Sequence, residues 1–153
     1  MSIQDQPRPQ YKPSLGVKLQ RFFMRLHIFF YRRTDGALGG KLAGRSMLLL
    51  TTAGRTSGQK RVTPIFYFSD GDRFILIGSN GGAQTHPQWW RNLQALPLAE
   101  IQVDRKQIAV NASQATGEER ELLWSKITAK YPDFITYQRR TPREIPVVVL
   151  TPR

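Results

Sequence analysis

The residues best suited to chemistry form a glycine-bearing loop, residues 54–61, directly after an apolar run. Its polar side chains are those of Arg55, Thr56, Ser57, Gln59, Lys60 and Arg61. Backbone N–H groups and guanidinium forks together are the donors that a phosphate needs. Gly54 and Gly58 are too close together for a Walker A loop, and no Gly-Lys-Ser/Thr follows. The pattern therefore indicates either a phosphate site of another kind or an ordinary solvated loop.

A second loop of small residues, Gly78 to Ala83, comes where another predicted strand ends, at Ser79. Glycines at such a position permit close backbone approach by a ligand. Taken alone, the segment is only a flexible turn. Together with the first loop, and with Trp89 and Trp90 on a short predicted helix, it indicates a cofactor site with aromatic walls.

A third candidate region carries three aromatic residues, Tyr131, Phe134 and Tyr137, at three-residue steps. This spacing places them on one face of a helical turn. They could belong to the core, but the Asp, Thr, Gln and Arg residues among them favour a partly exposed face.

Several kinds of chemistry find no support in the chain. It has no cysteine, which excludes disulfides, thiolate metal sites and cysteine nucleophiles. Its two histidines, His27 and His86, belong to no metal-binding pattern, and His86 before a proline is interpreted as structural. No G-x-S-x-G elbow occurs. We expect no metal site, and if the chain is an enzyme, a bound cofactor must supply the reactivity.

The elements that position these loops are mostly short strands. Apolar and β-branched runs predict strands at 46–52, 63–69, 73–79, 99–103, 107–112 and 145–150, and helical periodicity predicts helices at 15–33, 87–96 and 116–130. Thr116 and Glu119 have the spacing of a capping box. Hairpins, inserted helices and a final strand predict an α+β, mainly β, fold: a small antiparallel barrel with flanking helices.

The charge is unevenly distributed. The 153 residues carry 23 Lys and Arg against 11 Asp and Glu, a formal net charge of +12, and residues 1–61 account for +10 of it. The 40% hydrophobic content suffices for one domain with a real core. The surplus fits a nucleic acid, an anionic membrane surface or a small polyanion.

The N-terminal region divides into two parts. Residues 1–14 carry three prolines and predict a flexible tail. Residues 15–33 predict a basic amphipathic helix, with an apolar stripe formed by Leu15, Leu19, Phe22, Phe23, Leu26, Phe29 and Phe30. This composition is typical of an interfacial membrane helix, and the alternative is a helix that packs on the domain. Membrane and cofactor sites are expected to be separable, so that losing the helix leaves cofactor affinity intact.

From about Asp35 onward the chain resembles the deazaflavin-dependent nitroreductase family of actinobacteria, within the split β-barrel flavin-binding superfamily. The segments that carry the resemblance are YRRTDGALGG, LLLTTAGRTSGQKRVTPIFY, GSNGGAQTHPQWWRNLQA and YPDFITYQRRTPREIPVVVL. The resemblance implies an FMN-binding-like split barrel over residues 34–153. It also implies coenzyme F-420, a deazaflavin with a phosphodiester and an oligoglutamate tail, as the cofactor in preference to FMN.

The resemblance also implies roles for particular residues. The cofactor-binding positions are Arg55, Thr56, Ser57, Gln59, Arg61, Val62, Thr63, Pro64, Ser79, Asn80, Gly81, Gly82, Ala83 and Trp89. Catalytic roles fall to Ser79, Tyr131 and Tyr137, and the substrate wall to Phe66, Tyr131, Phe134 and Tyr137. Phe66 and Phe134 stand where relatives can carry tyrosine, which favours flat, apolar acceptors.

The implied activity is hydride transfer from reduced coenzyme F-420 to a quinone-like or nitro-aromatic acceptor, at the inner face of the cytoplasmic membrane. A non-enzymatic deazaflavin or FMN carrier is the alternative. No nucleic-acid partner is expected, because the cations fall on a helix and a loop and no recognition motif occurs.

Overall fold

The computed structural model describes residues 12–153, and eight strands and four helices follow one another along this part of the chain. The helices are α1 (Leu15–Arg33), α2 (Gln88–Ala95), α3 (Gly117–Lys130) and α4 (Asp133–Arg139). The strands are β1 (Lys41–Leu42), β2 (Arg45–Ala53), β3 (Lys60–Phe66), β4 (Phe68–Asp70), β5 (Arg73–Ile77), β6 (Leu98–Val103), β7 (Lys106–Gln114) and β8 (Val147–Pro152).

The strands form one antiparallel sheet that curls into a half-barrel. Its order is β1-β2-β6-β7-β8-β5-β4, and β3 pairs with β2. Only Tyr67 separates β3 from β4, and its N–H donates to the carbonyl of Ser46 at 3.1 Å. β3 and β4 are therefore nearly continuous, yet β3 pairs with β2 near one end of the strand order and β4 lies at the other end. This connection bends the sheet upon itself.

The sheet is buried on both faces where β5 and β8 pair. Along β5 and β8, Leu76, Val148 and Leu150 point into the barrel with Leu48 and Trp90. The alternate residues of the same strands, Ile75, Ile77, Val147 and Val149, pack on the other side against α3 and α4. Because both faces are covered, these strands are continuous apolar runs rather than alternating ones.

Helix α1 is fixed to the sheet near its C-terminal end. Tyr31 is fully buried, and its hydroxyl lies 3.1 Å from the Met47 carbonyl oxygen and 3.2 Å from that of Gln102, and accepts from Asp104 N–H at 3.0 Å. Burial raises the pKa of this hydroxyl. Among residues 12–153, no helix combines the length and apolar character needed to cross a membrane.

Most predicted elements occur, with local differences. The strand predicted at 63–69 divides at Tyr67, and the aromatic segment forms α4. The predicted capping box is wrong: Thr116 occupies the N-cap of α3, but its side chain makes no capping hydrogen bond, and the Glu119 carboxylate accepts from Arg73 Nη1 at 2.7 Å. Of the predicted tail, residues 1–11 lie outside the described part, and Ser14 caps α1 by accepting from Val17 N–H at 3.4 Å.

Candidate functional site

A large cavity of about 1360 Å³ opens between the two glycine-bearing loops, β3, α1 and α2. Five cationic side chains line it, those of Arg21, Arg25, Arg55, Lys60 and Arg61. Within residues 12–153, no Asp or Glu does so. A concentration of like charge in a cleft raises the local potential and attracts anions.

Arg55 of the first loop is held by hydrogen bonds to uncharged side chains of α2. The Arg55 N–H donates to Asn92 Oδ1 at 3.2 Å, and its Nη1 donates to Gln88 Oε1 at 2.8 Å. Asn92 is buried and also donates to Thr52 Oγ1 at 3.1 Å. Because both partners of Arg55 are amides, its charge is oriented but not neutralised. Asn92 was not identified from the sequence, because it lies on α2 together with the buried apolar residues Trp89, Trp90 and Leu93.

The second loop turns sharply after β5. Residues Asn80–Gly82 form a single 3₁₀ turn, with φ of +47° at Asn80, +63° at Gly81 and +81° at Gly82. A Cβ on Gly82 would lie 2.7 Å from the Tyr137 carbonyl oxygen, so only glycine permits this contact with α4. Gly82 therefore packs against the scaffold, while Ser79, Asn80 and Gly81 face the cavity.

Arg143, a residue that sequence reasoning missed, holds the second loop in place. Its Nη2 donates to the Ser79 carbonyl at 2.7 Å, its Nε to that of Ala83 at 2.9 Å, and its Nη1 lies 3.2 Å from that of Gly78. Three backbone carbonyls of one loop thus share one guanidinium. The residue lies in an irregular segment before β8, where no local pattern indicates such a contact.

The same guanidinium determines the tautomer of His86, which lines the cavity, and favours its neutral form. Arg143 Nη1 lies 3.0 Å from His86 Nδ1. Because a guanidinium can only donate, Nδ1 accepts and the ring proton sits on Nε2. Burial, with the nearby charges of Arg143 and Arg91, lowers the pKa of His86. His86 is therefore a neutral imidazole at physiological pH.

Part of the cavity lining is apolar, and this apolar wall consists of Ile65, Phe66, Phe68, Ile77 and Phe134. An ion pair supports it from behind: Arg45 donates two hydrogen bonds to the Asp133 carboxylate, at 2.9 and 2.6 Å. The Arg45 guanidinium also lies 4.3 Å from the centre of the Tyr131 ring. This pairing holds the pKa of Asp133 below its ordinary value.

Of the residues predicted for the site, most line the cavity: Arg55, Thr56, Ser57, Arg61, Val62, Thr63, Phe66, Ser79, Asn80, Gly81, Trp89 and Phe134. Six do not line it: Gln59, Pro64, Gly82, Ala83, Tyr131 and Tyr137. Tyr131 packs on Phe68 and Tyr137 packs on Phe134, two residues of the apolar wall. The catalytic role expected of both tyrosines from the sequence stays a prediction.

Comparisons with known proteins agree with this architecture. Residues 23–152 match the family model described as F420H(2)-dependent quinone reductase. The chain is 39% identical over 144 residues to an F420H(2)-dependent quinone reductase of Mycobacterium tuberculosis, covering 91% of this chain and 93% of the relative.

Two solved structures are similar in fold as well as in sequence. An F420-H2 dependent reductase has a TM-score of 0.63 and 34% identity, over 69% of this chain and 93% of that one. A chain described as a domain-swapped dimer has a TM-score of 0.66 and 31% identity, over 89% of this chain and 99% of that one. The predicted split-barrel fold is thereby confirmed. By its sequence and its fold, the chain belongs to the F420H(2)-dependent quinone reductase family.

Proposed function

We propose that the cavity binds coenzyme F-420 along its length, with the anionic part among the cations and the acceptor against the apolar wall. Family membership makes the chain an oxidoreductase that uses this cofactor, which confirms the expected enzyme class and favours turnover over a carrier role. The observation that carries the placement is the cavity itself, which is lined by five cations and by several aromatic residues, with no acid among its described lining residues.

The residues present fit this cofactor. Its phosphodiester and carboxylates need cations and N–H donors, which Arg55, Arg61 and the glycine-bearing loops provide. Its flat ring needs apolar contacts, which Val62, the Thr63 methyl group and Trp89 can supply from the cavity lining. When bound and reduced, the cofactor supplies a hydride. The chain's part is to orient cofactor and acceptor, and to exclude water from the apolar wall.

Ser79 is the side chain best placed to assist near the reacting atoms. It lines the cavity at the end of β5, and Arg143 fixes its backbone through the carbonyl. Its hydroxyl is free to donate a hydrogen bond to an oxygen that gains negative charge, which is the expected mode of stabilisation. His86 Nε2–H is a second neutral donor on the same wall.

The acceptor wall of Phe66 and Phe134 offers dispersion contacts and no hydroxyl of its own. A quinone such as menadione, which is flat and apolar, suits this wall better than a bicyclic nitroimidazole. The purified protein should oxidise reduced coenzyme F-420 much faster with menadione than with the nitroimidazole, as followed by absorbance. Comparable turnover of the two acceptors would contradict the proposed specificity.

Peripheral attachment to the inner face of the cytoplasmic membrane is the second part of the proposal. It rests on the outer face of α1, where Leu15, Leu19, Phe22, Phe23 and Phe29 are 53–82% exposed. A basic helix with an apolar face of this size is suited to the interface of an anionic bilayer. A quinone acceptor dissolved in that bilayer would then meet the cavity nearby.

The membrane part is tested with exposed residues, so that the fold is not disturbed. The double variant Phe22→Gln and Phe29→Gln should bind anionic vesicles far less than wild type in cosedimentation. Leu122→Gln is the matched control, because Leu122 is 56% exposed on α3, away from α1. Equal binding by the double variant and the control would reject membrane attachment through α1.

A further inference from the structure

Helix α1 has an inner face as well as an outer one. Residues Val17, Gln20, Arg21, Met24, Arg25 and Ile28 line the cavity. They recur at steps of three or four residues and therefore form one continuous stripe on the helix. The aromatic outer face lies on a different side of the helix, and the Arg21 and Arg25 side chains are solvent-exposed as well as lining the cavity.

The position of this inner face is determined by contacts, not by charge. The Tyr31 hydroxyl holds the C-terminal end of α1 against β2 and β6. One turn earlier, His27 Nε2 lies 3.0 Å from the Gly39 carbonyl oxygen. Gly39 has φ of +90°, and a Cβ there would lie 2.8 Å from His27 Nε2, so this approach requires glycine.

The two arginines on the inner face have no acidic partner among the described residues. The ion pairs of residues 12–153 include neither Arg21 nor Arg25. Arg55 and Arg61 line the same cavity and also have no acidic partner in the ion pairs of residues 12–153. Like charges that line one cavity repel, and a bound anion removes this cost.

We propose that Arg21 and Arg25 bind the anionic phosphodiester-and-carboxylate end of the deazaflavin cofactor, so that α1 forms one wall of the cofactor site. The inference rests on the proposed function and extends it to a helix whose sequence indicated either a membrane surface or packing on the domain. It differs from the expectation that the membrane and cofactor sites are separable. One helix serves both, with its inner face toward the cofactor and its outer face toward the lipid.

The test compares two double variants of the full chain that remove the same charge from the same helix. Arg21→Gln with Arg25→Gln removes the cations of the inner face. Lys18→Gln with Arg32→Gln removes two exposed cations that do not line the cavity. Glutamine preserves helix propensity, and circular dichroism checks that both variants fold. Binding of coenzyme F-420 is followed by quenching of tryptophan fluorescence.

The inner-face variant should bind coenzyme F-420 at least about tenfold more weakly than wild type, because two charge-assisted contacts are lost. Its affinity should also depend less on salt, since fewer charges take part. The control variant should stay near wild-type affinity. A deazaflavin riboside without the phosphodiester and tail should bind wild type and inner-face variant equally, because it lacks the groups that the arginines contact.

The remaining outcomes separate the two proposals. Equal losses in the inner-face and control variants would show attraction by net charge only and would overturn the inference. So would weaker binding of the tail-less riboside by the inner-face variant, which would indicate a damaged fold. A wild-type chain that binds coenzyme F-420 but loses nothing on substitution would overturn the inference alone. Failure of wild type to bind this cofactor would overturn the proposed function with it.

Discussion

The first loop, residues 54–61, and the second loop, residues 78–83, both carry glycines and both border the cavity, but different contacts hold them. The first is solvent-exposed from Arg55 to Gln59, and its contacts to α2 are made by amides. In the second, Arg143 binds three carbonyls, and Gly82 lies buried against α4. The first loop can adapt around an anion, whereas the second keeps Ser79 in one place.

This difference suggests a division of labour in which the first loop determines how tightly the cofactor binds and the second determines whether it is placed correctly for reaction. Binding groups gain from mobility and charge, because they must capture a flexible tail. Reacting groups gain from rigidity, because small displacements at the reacting atoms are costly.

The largest effect is expected at the second loop. Arg143→Ala removes the donor of three backbone carbonyls, so Ser79 loses its fixed position, and kcat should fall about 100-fold. The dissociation constant of coenzyme F-420 should change much less. Steady-state kinetics with menadione, beside a fluorescence titration, separate the two quantities.

Two further variants check this prediction. Arg143→Lys keeps the charge without the planar fork and should recover only part of kcat. Arg139→Ala, on the exposed end of α4, is the control and should behave as wild type. An Arg143→Ala enzyme with normal kcat and weak cofactor binding would reverse the division of labour between the loops.

The next effect concerns the first loop. Arg55→Gln and Arg61→Gln should each weaken coenzyme F-420 binding by about tenfold, because each removes a charge-assisted contact. At saturating cofactor, kcat should stay close to wild type. Lys106→Gln removes an exposed charge outside the cavity and serves as the control. A fall in kcat without a change in affinity would place these arginines at the reacting end instead.

A smaller effect is expected at the support of the first loop. Asn92→Ala leaves the buried Thr52 hydroxyl and the Arg55 N–H without their partner. The free energy of unfolding should fall by about 1–3 kcal/mol, as measured by urea denaturation. Asn111→Ala, at an exposed position of β7, should change it little. Equal stability losses in the two variants would mean that Asn92 does not hold the loop.

The smallest expected effect is the pH dependence of stability caused by His86, which contacts Arg143 beside the second loop. The pKa of His86 is below its ordinary value of 6.5 in the folded chain, so the unfolded chain binds more protons just below that pH. The contribution of neutral His86 to the free energy of unfolding is therefore fully present above about pH 6.5, and it is lost as the pH falls below that value. Thermal unfolding between pH 7.5 and pH 5.5 measures this loss, which should be smaller in His86→Asn. An identical pH profile in that variant would contradict a neutral His86.

The elements of the fold were predictable because each depends on a local pattern. The stripe of apolar residues predicted a helix at 15–33, and α1 has those bounds. The neighbouring strands predicted at 63–69 and 73–79 likewise pair, as the hairpin of β4 and β5. Which face of α1 lines the cavity was not predictable. The periodicity shows that the helix has a basic stripe, but it does not show which part of the protein that stripe lies against.

The site was predictable only where its residues are close in sequence. The two glycine-bearing loops stood out from their composition. Arg143 did not, because it acts on Gly78 across 65 residues of chain and only the folded barrel brings them together. Tyr131 and Tyr137 show the reverse case: their spacing predicted one shared helical face, but only Tyr137 lies in α4, whereas Tyr131 directly follows the last residue of α3.

The place of β8 in the sheet has a consequence for how the protein is made. β8 comes last in chain order, yet it lies between β7 and β5 in the middle of the sheet. While the ribosome is still synthesising the chain, the earlier strands can form hairpins but cannot join into a barrel. Closure must await pairings of long sequence separation, which form slowly. The ability to bind cofactor should therefore arise in a single late step, after translation of β8, rather than grow with chain length.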